Sequence, residues 1–222
     1  MSELELFQTQ ARCISHEIRN HLSICELYTK IIENNIIKEN INNSSLENAL
    51  NCIKKSLKII GNSLLDLKSL NNFAPDKYNL RSVIETGVDM AKIYTCDKKI
   101  EFECDLEDKC WVQVDENKFL ACMVNIIKNA IEAIDKTGKI VLKCYEKAGI
   151  AHIIIANNGK PISFEKQEQI FQEGFTTKTS GSGLGLHICK NNLEQQKAEL
   201  RLNKSDSFST EFEILLPVVD NY

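Results

Sequence analysis

The sequence predicts an α+β protein in which an N-terminal antiparallel helical hairpin precedes an α/β sandwich. Three features of the 222-residue chain support this order. Apolar residues in the first 70 positions recur in steps of three and four, the period of an amphipathic helix. All three prolines and eight of the nine glycines come after residue 74, where turns are therefore expected. Short apolar runs typical of strands alternate with helical segments in that second part.

The composition favours a globular protein that works in water. Hydrophobic residues make up 43% of the chain, charged residues 26%, and the net charge is -4. This balance provides no positive field for nucleic acid. The longest apolar run is six residues, 119–124, against the ~20 that span a bilayer. The nine cysteines are scattered, without a CxxC pair. We therefore expect a cytoplasmic chain with reduced thiols, no membrane segment and no nucleic-acid partner.

The helical hairpin is predicted from two apolar seams. The first runs from Leu4 to Ile32 in alternating steps of three and four, interrupted at His21. The second runs from Leu46 to Leu67, after a polar stretch that provides the connection. Each helix has a narrow apolar stripe that needs more cover than the other helix supplies. We therefore expect two hairpins to pair as a four-helix bundle in a homodimer.

A domain boundary is predicted where Pro75 interrupts the helical period. The hairpin then occupies residues 1–72, a linker 73–79 and a second domain 80–222. In that domain we predict helices at 80–93, 116–134 and from the glycine cluster to about 196. We predict strands at 100–104, 111–114, 139–145, 151–156, 199–203 and 211–216. Helices and mostly antiparallel strands in this order favour a sandwich with its helices on one face.

His16 is a candidate nucleophile on the first helix. With Ile14 at heptad position d and Ile18 at position a, His16 falls at position f, remote from the seam. An imidazole in water beside Glu17 is oriented and made more basic by the carboxylate, which suits attack on phosphorus. Asn20 lies four residues on, over the same face. A surface histidine without a function is the alternative interpretation of this spacing.

A polar stripe is predicted on the helix at 116–134. Asn125, Lys128, Asn129 and Glu132 follow one another at spacings of three and four. Buried amides need partners, so a stripe that faces inward implies a ligand or a metal. Asparagine carbonyls are hard oxygen donors that suit Mg²⁺, which takes its other ligands from water and phosphates. A solvated helix face is the alternative.

A glycine-rich segment introduces the last predicted helix. Gly181, Gly183 and Gly185 alternate along it, so backbone amides and the helix N-terminus can approach an anion. Lys178 adds a positive charge nearby. The segment is neither the Walker pattern nor part of a Rossmann site. The asparagines and glycine at 157–159, which end an apolar strand, read as a turn on their own.

In order and spacing, these motifs resemble the catalytic core of sensor histidine kinases over residues 11–216. The matching segments are the H-box in its nitrogen-regulatory form, the N-box, the G1 box, the F-box and the G2 box, at 14–20, 125–130, 157–162, 171–178 and 181–186. The resemblance implies a dimerising phosphotransfer hairpin and an ATP-binding domain of the Hsp90/histidine kinase (GHKL) type, shared with MutL-like proteins. It implies a kinase that uses ATP and Mg²⁺ to phosphorylate itself and then serves a response regulator.

The resemblance also implies a role for each matching residue. His16 is the phosphoryl acceptor, Glu17 assists as acid and base, and Asn20 aids dephosphorylation of the regulator. Asn129 is the Mg²⁺ ligand, supported by Asn125. The full set implied for nucleotide binding is Asn125, Lys128, Asn129, Asn157, Gly159, Thr177, Lys178, Gly181, Gly183, Leu184 and Gly185.

Two positions depart from the family and motivate an alternative. Asn157 stands where the family has an aspartate that accepts a hydrogen bond from the adenine amino group, and losing the charge costs about 1 kcal/mol. His21 stands where a proline usually kinks the helix. The alternative is a response-regulator phosphatase or phosphotransfer protein with weak autokinase activity. A non-catalytic scaffold is a third reading. An Hsp90-like or MutL-like ATPase is a fourth, but those proteins carry a glutamate at the position of Asn125.

Overall fold

The chain divides into two compact units, residues 1–72 and 73–222, in a computed structural model. The structure describes residues 18, 22–23, 25–37, 45–46, 48–54, 56–57, 60, 73–95, 98–176, 183 and 185–220. No helix among these residues is both long and apolar enough to cross a membrane.

The described part of the first unit is helical. It contains helix α1 (25–37) and helix α2 (48–54). Leu22 and Leu57 bury their side chains against each other, with Ile18 packed beside them. An ion pair between Glu33 on α1 and Lys54 on α2 links the two helices. Ile18 and Leu57 are positions of the predicted seams. The hairpin connection and the four-helix bundle stay predictions.

A five-stranded mixed sheet forms one layer of the second unit. Its strands are β2 (Lys99–Leu106), β4 (Thr137–Lys147), β5 (Ile150–Asn157), β6 (Glu199–Ser205) and β7 (Thr210–Pro217). They lie in the order β2-β4-β5-β7-β6, and all neighbouring pairs are antiparallel except β2 and β4, which are parallel. This layer agrees with the α+β class that the sequence predicts.

The hairpin between β4 and β5 has a two-residue turn. Ala148 and Gly149 both have positive φ angles, 53° and 76°. This is the combination that type I′ turns require, and such turns match the twist of the strands they join. Along β5, buried and half-buried residues then alternate, with Ala151, Ile153 and Ile155 in the core. One face of the sheet is therefore the core face.

Three helices of eight or more residues cover that core face. They are α3 (Leu80–Ala91), α4 (Glu116–Ala133) and α6 (Gly185–Glu194), while α5 (Phe164–Gln167) is a single turn. A 3-10 turn at Lys92–Thr95 follows α3. Helix α4 packs between α3 and α6, and Phe119, Met123 and Ile127 are fully buried in its centre. The polar stripe predicted on 116–134 therefore lies on the central helix of the layer.

A small second sheet involves residues predicted as linker. Strand β1 (Asp76–Asn79) pairs antiparallel with β3 (Trp111–Val114). The segment before α3 is polar and lacks the alternation that marks a strand, so its pairing depends on the edge that β3 offers. Tyr78 of β1 packs against the main core, and burial together with the nearby Glu116 carboxylate raises its pKa. The linker thus ends in a strand of the second unit.

Candidate functional site

Helix α4 begins at a fixed point because the carboxylate of Asp115 caps it. Asp115 accepts hydrogen bonds from the backbone N–H groups of Lys118 (3.1 Å) and Ala74 (3.1 Å). Its own N–H donates to the side-chain carbonyl of Gln196 (2.9 Å). A carboxylate here satisfies an open N–H group of the first turn and favours the helix dipole. The helix that carries the polar stripe is therefore tied to two other segments of the unit.

The other end of α4 lies against the turn that follows β5. The backbone N–H of Lys160 donates to the carbonyl of Ala133 (2.8 Å). A Cβ on Gly159 would lie 2.6 Å from the carbonyl carbon and oxygen of Ala133, so only glycine fits there without movement of backbone. The ammonium of Lys98 closes the helix by donating to two carbonyls of its end, at 2.8 and 2.6 Å. The predicted G1 turn is thus fastened to the N-box helix.

Asn125 is in contact with the first turns of α6. Its Nδ2 donates to Sγ of Cys189 (3.5 Å), and a Cβ on Gly185 would lie 2.5 Å from Nδ2. Sγ of Cys122 and Sγ of Cys189 each donate to the other residue's carbonyl, at 3.6 and 3.8 Å. Oδ1 of Asn125 would lie 2.9 Å from the same Cβ on Gly185, so both ends of the amide adjoin Gly185. The predicted N-box and G2 box therefore meet at this amide.

The remaining residues of the stripe divide between two directions. Asn129 follows Asn125 by about one turn, and both are half-buried. The ammonium of Lys128 instead lies 4.9 Å from the ring centre of Tyr94, a cation–π contact with the 3-10 turn. Glu132 is exposed. The two asparagines thus share a face of α4, and a phosphate contact from Lys128 stays a prediction.

Asn157 is the last residue of β5 and is almost fully buried, with 4% of its surface exposed. The alternation along β5 places it on the same face as Ile153 and Ile155, towards the helices. Within the described part of the chain, its Nδ2 has no hydrogen-bond partner. Thr210 is its partner across the strands and is also buried. A buried amide with an open donor is typical of a ligand site.

A glycine of the predicted F-box and a glycine of the predicted G2 box lie against each other. Gly183 has φ +69°, and a Cβ on it would lie 2.4 Å from the carbonyl carbon and oxygen of Gly174. Both the angle and the close approach require glycine. Nearby, Nδ1 of His187 on α6 lies 3.2 Å from the carbonyl oxygen of Phe171. The predicted F-box and G2 box are therefore in contact.

Several predicted site residues lie outside the described residues, and their roles stay predictions: His16, Glu17, Asn20, Thr177, Lys178, Gly181 and Leu184. The departure at His21 also lies there. The described members of the predicted nucleotide set all lie on α4, against its C-terminal end or at its contact with α6, except for Gly183 and Asn157. Gly183 lies just before α6, and Asn157 is the last residue of β5.

Sequence reasoning missed three residues of this region. Cys189 bonds Asn125, Tyr94 contacts Lys128, and Thr210 lies opposite Asn157. No spacing pattern could identify these partners, because each lies more than 30 residues from the residue it contacts. A weak signal existed for Cys189, which follows Gly185 by one helical turn and thus faces the same neighbour.

Two thiols of the second unit, those of Cys110 and Cys144, lie together in the core. The seven cysteines that the structure describes are free. The hydrogen bond between Cys144 and Cys110, together with burial, raises the pKa of the Cys144 thiol, which is therefore protonated at neutral pH. Both side chains are buried among core residues. This pair contributes to the core, so covalent catalysis by it is excluded.

The donor set of the site fits Mg²⁺ held by amide oxygens. No group of three or more His, Cys, Asp or Glu side chains in the described ranges could hold a metal ion. Asn125 and Asn129 offer two amide oxygens on one face of α4. Mg²⁺ commonly takes one or two protein oxygens and completes its shell with water and phosphates. The asparagine face suits that arrangement.

Comparisons with known proteins agree with this geometry. Residues 114–220 match the family described as histidine kinase-, DNA gyrase B-, and HSP90-like ATPase. Sporulation kinase C of Bacillus subtilis (strain 168) is 34% identical over 111 residues, which are 50% of this chain and 26% of that protein. The signal transduction histidine-protein kinase AtoS of Escherichia coli (strain K12) is 25% identical over 207 residues, 92% of this chain and 34% of that protein.

A solved structure shows the same fold. The catalytic domain of histidine kinase ThkA is 27% identical with a TM-score of 0.59, and the match covers 65% of this chain and 95% of that one. The chain spans about a quarter to a third of the length of the two relatives above. Residues 114–220 therefore belong to the histidine kinase-, DNA gyrase B-, and HSP90-like ATPases, and the chain contains a histidine kinase catalytic core.

Proposed function

We propose that the protein is a two-component histidine kinase that phosphorylates itself on His16 with ATP. A ring nitrogen of His16 attacks the γ-phosphorus, the bond to the bridging oxygen breaks, and ADP leaves. The phosphoryl group then passes to an aspartate of a response regulator. Positioning and charge stabilisation provide most of the catalysis in such transfers. The contact of Asn125 with both Cys189 and Gly185 carries the proposal, because it joins the two motifs that hold the phosphates.

The residues divide the work within the nucleotide site. Asn129, supported by Asn125, holds Mg²⁺, which neutralises charge on the phosphates when bound. Backbone amides of Gly181, Gly183, Leu184 and Gly185 bind the phosphates at the N-terminus of α6. Lys128, Thr177 and Lys178 add contacts to them. Asn157 and Gly159 border the base.

The first unit supplies the acceptor and the partner surfaces. Glu17 assists proton transfer at His16, and Asn20 positions water when the regulator is dephosphorylated. A homodimer is supported by large apolar side chains that helix α1 exposes: Leu27, Tyr28, Ile31, Ile32 and Ile37. A second hairpin would cover them. The cognate response regulator and a cytoplasmic location complete the proposal.

The test is autophosphorylation of the purified chain with γ-labelled ATP and Mg²⁺. We expect label that is stable to base and released by acid, as for a phosphoramidate, in the wild type and not in His16→Ala. His152→Ala is the matched control, because this histidine pairs with Glu213 on the sheet and should not affect labelling. Label that persists in His16→Ala contradicts the acceptor assignment.

A second assay separates the kinase from a protein that works mainly as a phosphatase. Phosphorylated response regulator is incubated with wild type, His16→Ala and Asn20→Ala. In a parallel incubation, unphosphorylated regulator is mixed with the same proteins and γ-labelled ATP. If the protein is a kinase, label passes to the regulator with wild type and not with His16→Ala. If instead the wild type accepts no label and removes phosphate from the regulator through Asn20 alone, the phosphatase reading replaces the kinase.

A further inference from the structure

The side-chain amide of Asn157 carries a hydrogen-bond donor that is open with respect to the protein. Only 4% of the residue is exposed, and its Nδ2 has no partner among the residues that the structure describes. The strand alternation directs it to the face that the helices cover, beside the Gly159 turn and α4. Buried donors without partners are rare in folded proteins, so an open one at the edge of a ligand site indicates what the ligand offers.

Two neighbouring acceptors already have partners within the protein. Thr210, opposite Asn157 across the strands, shares a 2.7 Å hydrogen bond with the hydroxyl of Ser205. The carbonyl oxygen of Asn158 accepts from the backbone N–H of Lys139 (2.8 Å). The open donor of Asn157 is therefore left for a group that enters the site from outside.

We propose that Asn157 lets the nucleotide site accept 6-oxopurine nucleoside triphosphates as well as ATP. This inference rests on the proposed function, since it concerns the base of the same nucleotide. A carboxylate only accepts hydrogen bonds, so it pairs with the 6-amino group of adenine and repels a 6-oxo group. A carboxamide has a donor and an acceptor. It presents its oxygen to an amino group, or after a half-turn of the amide its nitrogen to an oxo group.

The site should therefore discriminate less between adenine and the 6-oxopurines than a site with an aspartate does. Adenine loses the charge-assisted bond, while hypoxanthine and guanine gain a donor and lose an opposing negative charge. Sites that leave a polar group unpaired reject a ligand strongly, and Asn157 leaves neither base unpaired at position 6. The ratio of dissociation constants for inosine and adenosine triphosphate should therefore lie within about tenfold of one.

The experiment measures binding of ATP and inosine triphosphate to the full chain by calorimetry with Mg²⁺. The His16→Ala background prevents turnover. Inosine triphosphate is the probe because it lacks the 2-amino group of guanosine, so the two ligands differ only at position 6 and the adjoining ring nitrogen. In Asn157→Asp we expect at least a tenfold shift of the ratio towards ATP, caused mainly by weaker inosine triphosphate binding. Asn158→Asp is the matched control with the same added charge, and its ratio should not change.

Each outcome decides the inference. A parent-protein ratio that favours ATP by more than about tenfold overturns it while leaving the proposed kinase intact. An equal shift in Asn158→Asp also overturns it, because net charge would then explain the effect. If neither nucleotide binds, the inference and the proposed function both fail. The ratio in the parent protein does not depend on a variant, so a poorly folded Asn157→Asp does not prevent the test.

Discussion

Gly185→Ala should disable the nucleotide site while preserving the fold. The added Cβ would lie 2.5 Å from Nδ2 and 2.9 Å from Oδ1 of Asn125, whereas ordinary contact begins near 3.4 Å. The Asn125 amide must therefore retreat by about 0.9 Å, which breaks its bond to Sγ of Cys189. Misplacement of a positioning group by about 1 Å lowers rates by about 10²-fold. We expect the rate of Mg²⁺-dependent autophosphorylation to fall by that factor.

The fold should survive because a side chain, and not backbone, has to move. Alanine in place of glycine in a helix stabilises by about 0.5–1 kcal/mol, which offsets part of the lost contact. Thermal unfolding and labelling kinetics are measured on the same preparation. Gly87→Ala is the control, since its Cβ would crowd Met123 at 3.1 Å, in the contact of α3 with α4. That variant should keep its nucleotide affinity and its labelling rate, because the added methyl group lies between α3 and α4 and not at the Asn125 amide. Normal labelling by Gly185→Ala would refute the reasoning.

Three other predictions concern stability and are checked by urea unfolding. Gly159→Ala should lose about 1–3 kcal/mol, because the new Cβ meets the backbone carbonyl of Ala133 at 2.6 Å and neither group is flexible. Lys98→Met should lose about 1–2 kcal/mol, because the last carbonyls of α4 lose their ammonium donor. Asp206→Asn should be less stable than wild type at neutral pH. Backbone N–H groups of the turn that follows hold the pKa of Asp206 below its usual 3.8, so the stability it provides is present above 3.8 and is lost as the pH falls through the lowered value. The difference between the two proteins should therefore close in strong acid, and a gap that persists there contradicts the assignment.

Local patterns accounted for much of the second unit. The helix predicted at 116–134 is observed at Glu116–Ala133, because its apolar positions are numerous and its N-cap is an aspartate. The strands on either side of the Ala148 turn were predicted because each contains a short apolar run and a glycine sits between them. In both cases the determinants lie within the segment, so neighbouring residues suffice to identify it.

Pairings between distant segments could not be predicted in the same way. The parallel partnership of β2 with β4 joins Lys99 to Thr137. The strand Asp76–Asn79 exists because Trp111–Val114 offers it an edge. Both depend on contacts between segments more than 30 residues apart, and strand formation is highly sensitive to such context.

The candidate site was predictable at the level of motifs but not of contacts. Asn125 and Gly185 were identified from spacing and resemblance, yet their mutual contact appears only in three dimensions. Asn157 was noticed as a departure from the family, and its burial with an open donor is a property of the fold. Residue type thus indicated which chemistry to look for, and packing determined which groups are engaged.

The carboxylate of Asp115 connects the first residues of the second unit to the start of α4. One oxygen holds the chain at Ala74 and the other holds the first turn of α4. The residues before β1 are therefore bonded to Asp115, the same side chain that caps the helix carrying Asn125 and Asn129. That helix has 18 residues, a rigid rod of about 27 Å. The position of Ala74 and the start of the helix that carries Asn125 and Asn129 are thus set by one side chain.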